Sequence, residues 1–478
     1  MLTRPLCVDE VDPSITKHNV GNKAYNLMCM SSMGLPVPEG FVIGIGEKGS
    51  MDEIISEFEL YDIDMPVSVR SGAAVSMPGM MDTILNVGLT RDNIEFLFDD
   101  PVFGMDCYRR LIQTMSTAVF DIPAEIFLKI ERAATEFYIN DDLSMMSKIV
   151  KLYEDIFEDR VGFRFFDDPN EQLFRSVVAV QSSWNSQRAI DYRKAEGISD
   201  EGGTAVIVQR MVFGNKNEYS GTGVVFSHNP NTGKPGLYGD FLRMAQGEDI
   251  VSGYKVPVAI EAMKDDPKFR KNGKQLQTYM SKLLRKFKTI QDVEFTIDNG
   301  VLYILQARKA KCSPRASIRS ALSLVNNGSM TLSEATDMVM DSLPTQNNSS
   351  INIDNSKLSR LGFGIGVSDG EVAGFIAIGR EAALQMKNEN KPYIFCAELT
   401  SPDDTELMRT AIGVLTAMGG RLSHAAVLAR SMGKPTVVGF DSMKVTPTHI
   451  VIDDEINIYN GSQIKIDGLT GAVYYVNE

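Results

Sequence analysis

Cysteine, histidine and tryptophan are scarce in this 478-residue sequence, at five, four and one. The cysteines (Cys7, Cys29, Cys107, Cys312, Cys396) are odd in number and scattered, with no Cys-x-x-Cys. That excludes a disulfide framework or a cysteine zinc site and leaves reduced, mostly buried thiols. The histidines (His18, His228, His424, His449) are too few for a histidine-based metal cluster, so the setting of each one matters. Long apolar runs are also missing. No stretch reaches the roughly 20 residues of a membrane helix, and the opening MLTRPLCVDEVD lacks the apolar centre of a signal peptide. The expectation is a cytoplasmic protein. Positive charge is in deficit, with 48 Lys and Arg against 62 Asp and Glu and a net charge of −14. Nucleic acid and anionic membranes are therefore poor partners, although a local cationic pocket could still take a nucleotide.

What is present describes a folded protein of several domains. Hydrophobic residues at 43% and charged residues at 23% are ordinary for a globular chain and argue against disorder or fibrous repeats. The length predicts about two to four domains. Up to about residue 308, helical stretches alternate with short apolar runs at 41–45, 66–70, 205–209, 223–226 and 301–305, which predicts a large α/β or α+β domain. Apolar spacing between about 91 and 195 is helical, predicting an insertion in that domain. Residues 314–343 read as two helices broken at Asn326-Asn327-Gly328, the second capped by Thr331 and Glu334. Residues 344–357, PTQNNSSINIDNSK, read as a linker with a reach of roughly 20 Å. Short β runs then return at 393–396, 414–417, 436–440, 449–452, 463–466 and 472–476, around one clear helix. The expected division is 1–312, a connector at 313–357, and a small domain at 358–478.

The segment 413–440, GVLTAMGGRLSHAAVLARSMGKPTVVGF, parses as strand, glycine turn, helix, strand. Ser423 is suited to N-cap a helix with Ala425, Leu428, Ala429 and Met432 on its apolar face, closed by Gly433. His424 then falls in the first turn, where unpaired amides and the helix dipole favour an anion, and Gly419-Gly420 lets a phosphate approach the backbone. A neutral imidazole is a nucleophile, and a phosphohistidine would sit well there. On spacing alone an ordinary β–α turn accounts for the segment, and a lone histidine is a weak signal.

Residues 292–308, DVEFTIDNGVLYILQAR, read as a β-hairpin. A two-residue Asn299-Gly300 turn would set Glu294 opposite Leu305 and mix polar with apolar partners. A three-residue loop, Asp298 to Gly300, is therefore expected, placing Asp292, Glu294, Gln306 and Arg308 on one face. Such a face could hold magnesium and nucleotide phosphates, although on this segment alone a half-exposed strand pair with a solvated salt bridge is the better reading. Elsewhere Arg70 ends an apolar run before a small-residue loop, and Lys23 follows Gly21-Asn22. Ser220-Gly221-Thr222-Gly223 reads as a hairpin or lid tip offering amides to phosphates.

Together these segments resemble the pyruvate phosphate dikinase family over nearly the whole chain. The resemblance is carried by GLPVPEGFVI, SVRSGAAVSMPGMMDTILNVGL, YRRLIQT, SSWNSQRAIDYR, QRMVFGNKNEYSGTGVVFSHNPNTG, AQGEDIVSG, QDVEFTIDNGVLYILQARKAK and GGRLSHAAVLARSMGKPTVVG. It implies an ATP-grasp nucleotide domain and a swivelling phosphohistidine domain. It implies that Lys23, Arg70, Asp292, Glu294, Gln306 and Arg308 form the ATP and magnesium set, with Asp292 and Glu294 on the metal, and that His424 carries the phosphoryl group. In that family ATP pyrophosphorylates the histidine, inorganic phosphate removes the terminal phosphoryl group, and the phosphohistidine passes its group to pyruvate. The sequence departs from the family at Asn22 and Ala24 in the Gly-Gly-Lys-Gly turn, at His228 and Ala397 for arginines, and at Leu422 for a regulatory threonine. The last departure argues against threonine-switch control. The family's pyruvate-binding barrel would follow GSQIKIDGLTGAVYYVNE, where this sequence stops. The expectation is therefore an ATP-dependent phosphotransferase, with phosphate favoured over water as co-substrate, that delivers to a small molecule or to a separate acceptor protein. Two alternatives stay open: a portion of a full dikinase, and a nonenzymatic ATP-binding or partner-docking relative.

Overall fold

A computed structural model describes residues 3–477 except 76, 78–79, 128, 131–142, 248, 250–256, 327, 341–352 and 422. Most of the expected linker, part of the expected helical insertion and Leu422 lie outside the described residues. The architecture is mixed α/β, and the chain divides into two compact units, Met1–Val212 and Phe213–Glu478.

The first unit is built on an antiparallel sheet of β1 (Thr3–Pro5), β2 (Gly40–Ile43), β3 (Val67–Ala73), β4 (Thr83–Val87) and β5 (Thr204–Arg210), ordered β1-β2-β5-β3-β4. Its helices start where capping chemistry permits. Asp100 Oδ1 accepts from Val102 and Phe103 amides at 2.9 and 3.3 Å before Pro101–Phe120, and Asp168 Oδ1 accepts from Asn170 at 2.9 Å before Pro169–Ser182. Both place proline in the first turn, where its missing N–H loses nothing. Buried Gln172 ties this layer together by accepting from Gly88 N at 2.8 Å and donating to the carbonyls of Leu89 and Phe166, each at 2.9 Å.

The second unit holds a sheet of β6 (Gly221–His228), β7 (Pro235–Arg243), β8 (Val258–Ala259), β9 (Gln291–Asp298) and β10 (Val301–Lys309), ordered β10-β9-β6-β7-β8. Helices Pro314–Asn326 and Leu332–Met340 follow, and the expected capping box is present. Thr331 N donates to Glu334 Oε2 at 2.8 Å, and Glu334 N donates to Thr331 Oγ1 at 3.3 Å.

Strands β11 (Leu358–Phe363), β12 (Ile365–Ser368), β13 (Glu371–Ile378), β14 (Tyr393–Ala397), β15 (Gly413–Thr416), β16 (Thr436–Val438), β20 (Gln463–Asp467) and β21 (Ala472–Val476) form an eight-stranded sheet ordered β11-β21-β20-β13-β14-β15-β16-β12. Strands β17 (Met443–Val445), β18 (His449–Ile452) and β19 (Ile456–Tyr459) form a three-stranded one. The central strands of the larger sheet, β13 to β16, run parallel. Two helices here, Gly379–Asn388 and Thr405–Thr410, were not expected beside the histidine helix, His424–Met432. The first shows few apolar residues and the second is too short to display a helical period. Strands β11 (Leu358–Phe363), β12 (Ile365–Ser368) and β13 were missed as well, because glycines interrupt their alternation. Both faces of the parallel strands are covered. Ile394 and Leu415 pack in one core with Ile450, Ile452 and Ile458, whereas Phe395 and Val414 pack in another with Ala425 and Ala426 of the histidine helix. Two-sided burial explains why these strands read as unbroken apolar runs.

Candidate active site

The β9–β10 hairpin corrects one expectation and reaches the same face by another route. Asp298 pairs with Val301, so the turn is the two-residue Asn299-Gly300, with φ of 45° and 82°. Positive φ at both positions matches the twist of the flanking strands. The register then shifts between Ile304 and Gln306, and this bulge at Leu305 sets Gln306 opposite Glu294 and Arg308 opposite Asp292. Arg308 Nε donates to Asp292 Oδ2 at 2.8 Å, and Gln306 Nε2 donates to Glu294 Oε1 at 3.1 Å. Cross-strand partners share a face, so two rows run across the sheet: Tyr238, Phe226, Asp292, Arg308, and Asp240, Val224, Glu294, Gln306. Asp292 is buried, and its Oδ1 has no hydrogen-bond partner.

His424 stands at the carboxyl end of the parallel strands, where α/β sheets place ligands. The loop after β15 carries it, and the loop after β14 carries Thr400, whose Oγ1 lies 3.2 Å from His424 Nδ1. Ser423 caps the helix, its Oγ accepting from Ala426 N at 3.4 Å, and left-handed Gly433 closes it. Burial holds the imidazole below its ordinary pKa, while the Asp404 carboxylate pulls it back up. Asp404 is itself fixed by the Ser401 amide at 2.8 Å and Arg380 Nε at 2.7 Å. With Nδ1 engaged by Thr400, Nε2 is the ring nitrogen left for other bonding.

Within this same unit the glycine turn before His424 lies against the sheet face that carries Asp292 and Glu294. A Cβ on Gly420 would stand 3.1 Å from Asp240 Oδ2. Arg421 Nη1 lies 3.4 Å from Asp240 Oδ1, and its guanidinium sits 5.1 Å from the Tyr238 ring centre. Burial pushes the Asp240 carboxyl up, and Arg421 opposes that shift.

Residues 47–273 match the model described as pyruvate phosphate dikinase, AMP/ATP-binding domain, and residues 389–471 match the PEP-utilising enzyme, mobile domain. The chain therefore carries a pyruvate phosphate dikinase AMP/ATP-binding domain and a PEP-utilising enzyme mobile domain. A pyruvate, phosphate dikinase of Clostridium symbiosum is 36% identical, over 95% of this chain and 56% of its own length. The chloroplastic pyruvate, phosphate dikinase 1 of Oryza sativa subsp. japonica is also 36% identical, over 96% of this chain and 52% of its own length. The Rhizobium meliloti relative is 35% identical, with coverages of 96% and 56%. The chain thus spans about half the length of the curated relatives it matches.

The other residues singled out from the family motifs fall in both units. In the first, Gly21 interrupts the helix Lys17–Ser32 with φ 78° and ψ 159°. A Cβ there would lie 1.7 Å from the Gly72 carbonyl oxygen, so only glycine permits this approach of helix to strand. The approach sets the Lys23 Cβ 3.7 Å from the Cβ position of Gly72, two residues beyond Arg70 on β3. In the second unit the Ser220–Gly223 expectation is corrected. Gly221, Thr222 and Gly223 are not a loop tip but part of β6, between β7 and β9. A Cβ on Gly223 would meet the Phe295 ring at 2.4 Å, so this glycine is required by packing. Ser220 Oγ accepts from Asn299 N at 3.0 Å, and Thr222 Oγ1 donates to the Phe295 carbonyl at 3.1 Å. His228 ends β6, buried, with its pKa lowered by burial. Ala397 ends β14.

Sequence reasoning did not single out Thr400, Asp404, Asp240 or Arg421. Arg421 stood in plain view beside the glycine turn. No local signal marks Asp240, 181 positions from its partner.

Magnesium, which the family implies, is tested by this donor set. No group of three or more His, Cys, Asp and Glu side chains suited to a metal occurs among the described residues. Two carboxylates on one face, one with an orphaned buried oxygen, fit a cation that takes one or two protein carboxylates and completes its shell with phosphate oxygens and water.

No helix among the described residues is long and apolar enough to cross a membrane. All five cysteines are free thiols.

Proposed function

We propose that this chain is an ATP-dependent, phosphate-using dikinase-type phosphotransferase that phosphorylates its own His424 and delivers the group to pyruvate or another acceptor. In this reading residues 1–312 bind nucleotide, 313–357 connect, and 358–478 carry the histidine. The observation that carries the proposal is the seating of the histidine loop, through Gly420 and Arg421, on the sheet face that presents Asp292, Glu294, Gln306 and Arg308.

His424 Nε2 attacks the β-phosphorus of ATP as the bond from that phosphorus to the bridging oxygen of the α-phosphate breaks, and AMP leaves with the bond's electrons. With Nε2 as the nucleophile the ring proton stays on Nδ1, and the hydrogen bond it makes to Thr400 Oγ1, 3.2 Å away, fixes the ring. An oxygen of inorganic phosphate then attacks the terminal phosphorus, pyrophosphate leaves, and one phosphoryl group remains on Nε2. Phosphoryl transfer of this kind asks the protein mainly for positioning and charge stabilisation. Lys23, Arg70 and Arg308 supply cations for the phosphates, and Gln306 orients Glu294. Asp292 and Glu294 would hold magnesium, which supplies charge neutralisation of the polyphosphate when bound.

The test is incubation with Mg-ATP, with and without phosphate. AMP release and acid-labile phosphate on the wild type, both lost in His424→Ala, are expected. ATP binding with neither product would instead identify a nonenzymatic relative, and an unchanged His424→Ala would refute the assignment of the carrier.

A further inference from the structure

One charged side chain of the histidine helix has no place in the chemistry above. Arg430 is 3% exposed, and its Nε and Nη1 have no hydrogen-bond partner. A buried guanidinium with unmet donors is strongly disfavoured unless charges of opposite sign lie close by. Its surroundings come from the other sheet of the same unit. The guanidinium lies 5.6 Å from the centre of the Phe226 ring, and Phe226 is the direct cross-strand partner of both Asp292 and Tyr238. Burial draws the arginine's pKa down, and the Tyr238 hydroxyl, the Asp292 carboxylate, the Cys312 thiol and the Asp240 carboxylate oppose that shift. Each carboxylate also keeps one buried oxygen without a partner, Asp292 Oδ1 and Asp240 Oδ2. Arg421 already serves the other oxygen of Asp240, and Arg308 the other oxygen of Asp292. With Nε and Nη1 unbonded, Arg430 is held by the Phe226 ring and by the surrounding charge, part of which Asp292 provides.

We infer that Arg430 is a positioning residue that couples seating of the histidine carrier to the ligand state of Asp292: a divalent cation on Asp292 and the seated arginine compete for the same carboxylate. This rests on the reading of Asp292 as a metal residue. With Asp292 open, Arg430 has its counter-charge and the carrier stays seated. With a divalent cation there and no polyphosphate to offset it, the cation, Arg308 and Arg430 crowd one buried carboxylate, and the carrier leaves. The coupling is reciprocal. Seating of the carrier weakens the cation on Asp292 by the same factor that the cation weakens seating.

The test uses the full chain without nucleotide, titrated with Mg2+ alone. Hydrogen exchange is read on the histidine helix and on strand Pro235–Arg243, and Mg2+ affinity by calorimetry. In the wild type, protection of both segments falls as Mg2+ binds. In Arg430→Gln, protection is low from the start and independent of Mg2+, and Mg2+ binds about 10-fold more tightly, within the usual range of such couplings. Arg430→Lys keeps the charge and restores both the Mg2+-dependent exchange and the weaker affinity, which a role in packing alone would not do. Thermal unfolding checks that each variant is folded, and the lysine variant alone against wild type carries the test if the glutamine variant is not. Equal Mg2+ affinity in wild type and Arg430→Gln, exchange in the wild type that ignores Mg2+, or weaker Mg2+ binding in Arg430→Lys than in wild type would overturn the coupling alone. Failure of either protein to bind Mg2+ would overturn the metal reading of Asp292 and the coupling with it.

Discussion

Gly21→Ala tests how the first unit sets Lys23 beside β3. The substitution places a methyl group 1.7 Å from the Gly72 carbonyl oxygen and 2.6 Å from its carbon, both backbone atoms that cannot rotate away. It also forces alanine into φ 78°, ψ 159°, a region almost reserved for glycine, at about 1–3 kcal/mol. Backbone displacement to relieve the clash adds about 1–3 kcal/mol, as in other overpacked cores. The total, about 2–6 kcal/mol, is a large part of a typical domain stability of about 5–15 kcal/mol. For a unit of this size the melting temperature should fall by roughly 5–20 °C. The chain has one tryptophan, Trp184, buried in this same unit with Arg193 stacked 4.3 Å from its ring centre. Its fluorescence during urea unfolding therefore reports on this unit directly. Gly34→Ala is the control, because Gly34 has φ 70° with nothing within 4 Å of its Cβ position. It should lose only about 1 kcal/mol, the conformational part. Equal losses in the two variants would refute the argument from close approach.

Three further outcomes are expected. Burial, with Arg409 nearby, brings the Lys434 ammonium down to about 8, although its Nζ donates to the carbonyls of Arg409 and Ala411. Between about 8 and the ordinary lysine value of about 10.5 the unfolded chain binds more protons than the folded one, so stability should rise with pH there, by at most about 3 kcal/mol. Urea midpoints across this window should show a slope that Lys434→Met removes, and a falling wild-type midpoint with the same slope in the variant would contradict the assignment. Because Asp404 pulls the His424 pKa up against burial, Asp404→Asn should move the acid limb of the autophosphorylation pH profile to lower pH, and an upward move would contradict this placement. Gly223→Ala drives a methyl into the Phe295 ring and should cost the second unit about 1–3 kcal/mol; a variant of unchanged stability would mean that β6 is not packed as described.

Local chemistry was legible wherever a short segment holds all the interacting groups. The histidine helix is an example, since Ser423, the small apolar face and Gly433 specify its start, buried side and end within eleven positions. The capping box of Thr331 and Glu334 is another. The hairpin was legible in outcome but not in mechanism. The requirement that polar residues share a face led to the right four side chains, while the bulge at Leu305 that satisfies it was invisible because a register shift leaves no mark of its own in composition.

The sequence by itself determined the capped helices, the histidine helix among them, and many of the strands, through hydrophobic period and capping, and it determined which residue types were available for phosphate chemistry. Tertiary structure decided what those residues do for one another. Gly221 and Gly223 look like a phosphate-binding tip until Phe241 and Phe295 are found against them. Gly21 looks like any helix-breaking glycine until Gly72, 51 positions away, lies against it. Arg430 looks like an ordinary helix-terminal arginine until the other sheet brings Phe226, Asp240 and Asp292 around it. The physical reason is the range of the forces involved. Backbone propensity and capping act over a few residues, whereas close packing and the pairing of buried charges depend on neighbours that only the folded chain supplies.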